Sequence, residues 1–321
     1  MIRLLRAEFG RLRSRRFTLV TLLVVFLALA GLQIIVNFEV TPPTAAQQAQ
    51  NQAAYEQAHK DWVDTHASYE AACRKTSQHP DEECVIPEPQ LSDFGGAQTY
   101  REAAGSVLTV AVYLAGLAAF VVAASFIGAE YSTGSIGNWL TFLPRRGRVF
   151  GAKLIVIVVF AAVLSALASA LTLGGAAALV RLHGGQVSGL PTLAQLAGRG
   201  TALAVALAVV GFCAALVSRH TAAAVGVLLG YLFVWFVRLV VLRQFAVAQE
   251  ATRWSPEGNI QAIVNNGHDY FVPVRRLTAD GEVLDTVQRS ISLTHGVVYW
   301  SALLLVVIAA SLVVFRRRDV T

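Results

Sequence analysis

Six separate runs of about 20 apolar residues dominate the chain and limit the folds open to it. A helix needs about 20 residues to cross the roughly 30 Å hydrocarbon core of a bilayer, and it satisfies its own backbone hydrogen bonds there. The runs begin near Phe17, Ser106, Leu154, Thr201, Thr221 and Leu293. The sequence therefore predicts an all-α polytopic membrane protein with six transmembrane helices.

Composition supports the same fold class. Hydrophobic residues make up 55% of the 321 residues and charged residues 14%, against about 45–50% and about 25% in soluble domains. An ordinary soluble protein is thereby excluded. The predicted spans cover residues 17–36, 105–128, 152–180, 200–218, 221–241 and 293–315.

Basic residues gather at alternate ends of the spans. Positive charge marks the cytoplasmic ends of transmembrane helices, so both termini are expected in the cytoplasm of a cell-membrane protein. The net charge of +6 is then a topology signal, and no nucleic-acid partner is expected. The residues concerned are Arg3, Arg6, Arg11, Arg13, Arg15, Arg16, Arg145, Arg146, Arg148, Lys153, Arg219, Arg316, Arg317 and Arg318.

The first 16 residues predict an amphipathic interfacial helix. Apolar side chains recur at helical spacing among the arginines, and the basic face would meet anionic lipid head groups. These apolar residues are Ile2, Leu5, Phe9 and Leu12. A solvated basic tail is the alternative. A secretory signal is disfavoured because the following apolar run continues to Val36, which is too long for a typical signal core.

Residues 37–104 are too polar to enter the bilayer and predict a helical extracytoplasmic insertion. Tyr55, Trp62 and Tyr69 recur every seventh residue, so a helix from Ala45 to Lys75 would present one aromatic stripe. Such stripes usually pack against protein, here the rest of the insertion or a second copy of the chain. Substrate binding is the alternative.

Cys73 and Cys84 flank a turn within this insertion. In an oxidising compartment they are a plausible disulfide that closes a short loop. His59 and His66 are seven residues apart, whereas helical histidines that chelate one ion sit three or four apart. No metal site is therefore expected.

A short polar segment at residues 129–151 separates the second and third spans. After Ser132 and Thr133, which can cap a helix, apolar residues share one helical face until a proline ends the run. These residues are Ile136, Trp139, Leu140, Leu143 and Pro144. The pattern predicts a short amphipathic helix on the membrane surface.

This segment resembles the coupling segment of type 2 ABC-transporter permeases. The matching positions are Glu130, Gly134, Ser135, Leu140, Leu143, Pro144, Arg146 and Lys153. The resemblance implies that Glu130, Gly134, Ser135, Ile136, Trp139, Leu140, Leu143, Pro144 and Arg146 couple the chain to an ATPase. It also implies two cytoplasmic ATPase subunits that bind ATP and Mg, and a second permease, identical or related. The alternative is an ordinary basic loop between membrane helices.

The second extracytoplasmic region, residues 242–292, precedes the last span. Type 2 ABC permeases commonly place short, partly inserted helices there, and Pro256 to Val264 could supply one. Val283 to Val287 has the pattern of a second amphipathic turn. A plain surface loop is the alternative for this region.

The chain lacks its own energy source. No Gly-x-x-x-x-Gly-Lys-Ser/Thr motif occurs in it, so we expect no cofactor and no enzyme activity in this subunit. No Asp, Glu, Lys or His lies near the middle of a span, which disfavours an ion-coupled carrier. Arg238, near the outer end of the fifth span, is expected to reach the lipid head groups as an anchor.

A small set of polar residues within the spans could line a pathway for an amphiphilic solute. They are Ser106, Thr109, Tyr113, Ser125 and Tyr231. Each could instead be satisfied by the backbone of its own helix.

We therefore predict the permease subunit of an ATP-driven ABC exporter that moves a drug, lipid or peptide and interacts with membrane lipids. The alternative is a membrane-anchored scaffold or sensor whose outer loop binds a partner. An intramembrane protease is disfavoured because no Gly-x-Ser elbow in a span is matched by a histidine in another. The sequence leaves open the substrate, the direction of transport and whether the two permeases are identical.

Overall fold

A computed structural model describes residues 2–76, 84–135, 146–240, 245, 249–278 and 281–317. Its elements are nearly all helical. The helices of the described chain are α1 (Ile2–Ser14), α2 (Arg16–Val40), α3 (Ala45–Thr76), α4 (Tyr100–Ser132), α5 (Arg146–Leu182), α6 (Leu190–Ser218), α7 (Thr221–Val240), α8 (Pro256–Asn265) and α9 (Leu293–Arg317). Strands β1 (His268–Thr278) and β2 (Gly281–Ile291) form one hairpin.

The predicted six-span, all-α architecture is confirmed. In the described part of the chain, six helices are long and apolar enough to cross a membrane: α2, α4, α5, α6, α7 and α9. Several of these helices begin before the predicted apolar runs, because residues at their first turns favour the start of a helix. Helix α4 begins at Tyr100, where Thr99 and Glu102 form a capping box. Helix α6 begins at Leu190, beside a proline suited to the first helical turn.

Helices α4 and α6 form the centre of the bundle. They run in the same direction, and small residues bring their backbones close together. Gly200 faces the side chain of Val112, and Gly211 faces the backbone carbonyl of Phe120. In contrast, only 17%, 6% and 11% of the apolar windows of α2, α7 and α9 are buried. Those three helices therefore have broad apolar faces available to lipid or to another subunit.

Helix α1 packs against the start of the bundle rather than standing alone. Leu12 is buried, as the amphipathic pattern predicts, whereas Ile2 is 76% exposed. The surprising buried residue is Glu8, whose side chain has no exposed surface. The burial of this carboxylate means that α1 carries a specific polar contact as well as an apolar face.

Helix α3 matches the predicted insertion helix closely. The indole nitrogen of Trp62 donates to the carbonyl of Ile86 at 3.0 Å, and the ring of His66 stacks on that indole. The ring of Tyr55 meets Phe94 edge-on. The stripe thus packs on the segment that follows α3, although Tyr69 is 56% exposed.

The region before α9 contains a hairpin that the sequence did not predict. The expectation of an amphipathic turn at Val283 to Val287 is wrong, because the backbone of that segment belongs to β2 and pairs with β1. Val287 lies opposite Val272 and Val283 opposite Arg276. A run of five residues with β-branched valines is ambiguous by pattern, and here strand pairing satisfies its backbone. The expected short helix before the last span is present as α8.

A glycine variant tests the α4–α6 contact. Gly211→Ala would place a Cβ against the immobile carbonyl of Phe120, and overpacking of this kind costs about 1–3 kcal/mol. The matched control is Gly198→Ala on the same helix, where a Cβ would meet nothing within 4 Å. Thermal unfolding in detergent should show a lower midpoint for Gly211→Ala only. Equal midpoints for the two variants would contradict the close packing.

A second experiment concerns the cysteines of the insertion. The Cα atoms of Cys73 and Cys84 lie 5.6 Å apart and their sulfurs are bonded, a separation normal for disulfides. Peptide mapping without reductant, on protein taken from its native membrane, should recover one cross-linked peptide pair. Two free thiols would show either that the bond does not form or that the insertion lies in the cytoplasm.

Candidate functional site

Four charged side chains meet at the end of the bundle where the chain begins. Glu8 comes from α1, Arg15 from the junction of α1 and α2, Glu130 from the last turn of α4 and Lys153 from α5. We name these four residues the buried ion cluster. Glu8, Glu130 and Lys153 are 0%, 3% and 1% exposed, so their charges are removed from water.

Lys153 is the centre of the buried ion cluster. Its Nζ lies 2.8 Å from Oε1 and 2.7 Å from Oε2 of Glu130, and 2.8 Å from Oε2 of Glu8. One ammonium group therefore bridges two carboxylates from different helices. Because a buried carboxylate is costly unless it is paired and hydrogen-bonded, this bridge fixes α1, α4 and α5 relative to one another.

Arg15 supplies the second cation. Its Nη2 lies 3.4 Å from Oε1 of Glu130, and its Nη1 donates to the carbonyl of Ser125 at 2.9 Å. Burial lowers the pKa of the Arg15 guanidinium, while Glu130 and Glu8 act in the opposite direction. The ring of Phe126 lies 5.0 Å from this guanidinium and 4.8 Å from the ammonium of Lys153. Both cations thus contact the same aromatic ring.

The position of Glu130 is unfavourable for an isolated helix. A negative charge in the last turn opposes the helix dipole, which already places partial negative charge there. The carboxylate is therefore held by its cations and not by α4 itself. Removal of either partner would leave an uncompensated charge at the joint between α4 and the segment that follows it.

Other helix ends reach the same end of the bundle. Arg146, the first residue of α5, donates to the carbonyls of Phe315 and Arg316 at 3.4 Å, near the end of α9. Gly128 of α4 meets Thr221 at the start of α7 so closely that a Cβ would contact the threonine. The buried ion cluster therefore lies where α1, α4, α5, α7 and α9 converge.

The structure describes part of the predicted coupling segment. Gly134 has a positive φ of 66°, which suits a residue without a side chain. The hydroxyl of Ser135 donates to the carbonyl of Glu130 at 3.4 Å. These residues turn the chain away from α4 beside the buried ion cluster. The remaining predicted coupling residues Ile136, Trp139, Leu140, Leu143 and Pro144 lie outside the described residues.

The predicted pathway residues fall in three places. Ser106, Thr109 and Tyr113 share one face of α4 near its first turns, and the hydroxyls of Ser106 and Thr109 donate to carbonyls of their own helix. Ser125 lies beside the buried ion cluster. Tyr231 is on α7, where its hydroxyl donates to the carboxylate of Glu257.

The sequence predicts that Arg238 extends to the lipid head groups as an anchor. In the structure, its side chain is instead bound within the protein. Its Nη1 lies 2.6 Å from Oε1 of Glu257, and its Nη2 donates to the hydroxyl of Thr252 at 3.1 Å. Glu257 is in the first turn of α8, where a negative charge suits the helix dipole. The pair ties α7 to α8 at the end of the bundle opposite the buried ion cluster.

Sequence reasoning missed Glu8 and Arg15. Glu8 is the only acidic residue among the first 16, and Leu5, Glu8, Leu12 and Arg15 share one helical stripe. An acidic residue on the apolar face of a basic helix indicates that a buried cation pairs with it. The positive-inside rule and lipid contact account for the arginines when the sequence is taken alone.

The fold and the buried ion cluster define a multi-pass membrane protein whose spans are joined to its first helix by buried charges. In the described residues no group of three or more His, Cys, Asp or Glu side chains could hold a metal ion. The chain matches the family described as ABC-2 family transporter protein over residues 3–320, and it belongs to that family. It is thus a membrane permease component of an ABC transporter. No curated protein matches the chain.

Replacement of the central cation tests the buried ion cluster. Lys153→Met should destabilise the protein by about 3–5 kcal/mol, because two buried carboxylates lose their shared partner. Arg181→Met is the control, since it removes a positive charge from the exposed far end of the same helix. Addition of Glu8→Gln to Lys153→Met should recover part of the thermal stability. No recovery would show that the loss comes from packing and not from charge.

Proposed function

We propose that this chain is the transmembrane subunit of an ATP-driven exporter of hydrophobic or amphiphilic solutes. Membership of the ABC-2 family supports an ATPase partner. In the proposed assembly, two cytoplasmic ATPase subunits bind ATP and Mg, and a second permease, identical or related, completes the membrane part. The match over nearly the whole chain favours this function over a scaffold or sensor.

The observation that carries the mechanism is the bridge of Lys153 between Glu130 and Glu8. Glu130 ends α4 just before the coupling segment, so motion of that segment acts first on this residue. Because the bridge is buried and paired on several sides, it transmits displacement to α1 and α5 instead of absorbing it. The spans would then move together when the ATPases close.

The coupling segment is proposed to contact the ATPase through its apolar face. Ile136, Trp139, Leu140 and Leu143 would enter a groove of that subunit, and Pro144 would end the helix. Gly134 and Ser135 would set its departure from α4. Arg146 would hold the start of α5 to the end of α9, as its hydrogen bonds to the carbonyls there suggest.

The solute pathway is proposed to use the polar face formed by Ser106, Thr109 and Tyr113, with Ser125 and Tyr231 as further contacts. Ser106 is exposed and Thr109 and Tyr113 are partly exposed. Membrane lipids or a partner subunit would complete the surface. The arginine distribution supports a cell-membrane location with both termini in the cytoplasm, and in that orientation α3 would lie outside.

A neutral variant tests the coupling role. Glu130→Gln should leave ATPase association intact but abolish the conformational response of the spans, because the carboxylate that joins α4 to the cations is lost. The response is read from an environment-sensitive fluorophore on Phe38→Cys, at the exposed far end of α2. Labelling is selective because Cys213 is buried. The measurement compares emission before and after addition of Mg-ATP and vanadate, and association is followed by co-purification.

Two further variants separate coupling from association. Glu56→Gln, on exposed α3, should keep both the association and the fluorescence response. Leu140→Asp should reduce association at least tenfold by placing a charge in an apolar contact. A Glu130→Gln protein that binds the ATPase and responds as the unmodified chain does would overturn the coupling role. Failure of the unmodified chain to bind any ATPase would overturn the transporter assignment.

A further inference from the structure

An open cleft of about 440 Å³ lies in the part of the chain that precedes α9. It is formed between the 3-10 turn before α8, Ala251–Trp254, and the base of the hairpin. Its walls come from this 3-10 turn and from both strands of the hairpin. Tyr270 and Arg289 are direct partners across the two strands. The lining residues are Glu250, Ala251, Arg253, Trp254, Tyr270 and Arg289.

The cleft combines two cations, two aromatic rings and one carboxylate. Among the residues that the structure describes, neither Arg253 nor Arg289 forms an ion pair, and both are exposed. The guanidinium of Arg253 lies 5.9 Å from the centre of the Trp254 ring. Two unpaired guanidinium groups beside aromatic rings are suited to an oxyanion carried on an apolar body, since arginine binds phosphate oxygens with paired donors.

The cleft lies beside the first turns of α9, one end of a helix long and apolar enough to cross a membrane. Trp254 meets the ring of His295 edge-on in the first turn of α9, and the indole of Trp300 donates to the carbonyl of Pro256. The other end of α9 is beside Arg146 and the buried ion cluster. Trp254 is 68% exposed, and exposed tryptophans at the ends of spans are typical of the head-group layer.

We propose that this cleft binds the head group of an aminophospholipid in the outer leaflet. Arg253 and Arg289 hold the phosphate, and Trp254 and Tyr270 contact the glycerol and the first carbons of the acyl chains. Glu250 accepts from the ammonium group. This carboxylate also disfavours head groups with net negative charge, so the site prefers phosphatidylethanolamine over phosphatidylglycerol.

Native mass spectrometry of the full chain released from nanodiscs tests the site, with phosphatidylethanolamine, phosphatidylglycerol or inorganic phosphate as the probe. Arg253→Gln with Arg289→Gln should weaken phosphatidylethanolamine binding at least tenfold. The matched control, Lys60→Gln with Lys75→Gln, removes two exposed cations from α3 and should leave binding unchanged. Inorganic phosphate at millimolar concentration should not displace the lipid.

The role of the Glu250 carboxylate is tested by measuring which of the two lipids the site prefers. Glu250→Gln should reduce the preference for phosphatidylethanolamine over phosphatidylglycerol to near one, whereas Glu56→Gln should keep it. Equal lipid binding by the arginine double variant and its control would overturn the site, and displacement by inorganic phosphate would overturn the lipid assignment. Because no ATPase or nucleotide is present, the result is independent of the proposed transport function.

Discussion

The arrangement of the helices at one end of the bundle depends on a single buried ammonium group. Lys153 reaches a carboxylate on α1 and another on α4, and all three groups are almost fully removed from water. Such an arrangement is weak support for stability, because hydrophobic residues of the same volume often stabilise a protein as well or better. The main effect of this arrangement is to set the relative positions of the helices. Each charge is tolerated only where its partners are, so α1, α4 and α5 have one low-energy alignment.

The packing between the spans determines which other helices are held in the same alignment as α1, α4 and α5. The close α4–α6 pair is built from glycines and alanines that allow little sliding without a clash. This close packing makes α4 and α6 a rigid pair beside the buried ion cluster. Helices α2, α7 and α9 lie at the periphery of the bundle, since most of their apolar surface faces outward. The exposed apolar faces of these three helices are suited to contact with lipid or with another subunit.

The six spans and helix α3 could be predicted because their signals are local: long apolar runs and a repeat of seven residues. Glu130 and Lys153 could be predicted from one contiguous motif. Glu8 could not, because its partner Lys153 is 145 residues away in sequence and no local pattern encodes that contact. The hairpin was missed for a related reason. Its strands are stabilised by each other, whereas the local pattern of the short valine-containing segment suits either a turn or a strand.

Helix α9 provides a direct connection between the two ends of the bundle. Near its C-terminal end, the carbonyls of Phe315 and Arg316 accept from Arg146. At its first turns, His295 bonds Asn259 and Trp300 bonds Pro256, so α8 is fixed to it. A helix of 25 residues is about 38 Å long. Since Arg238 also ties α7 to α8, hydrogen bonds and ion pairs connect α5, α9, α8 and α7 from the end with the buried ion cluster to the opposite end of the bundle.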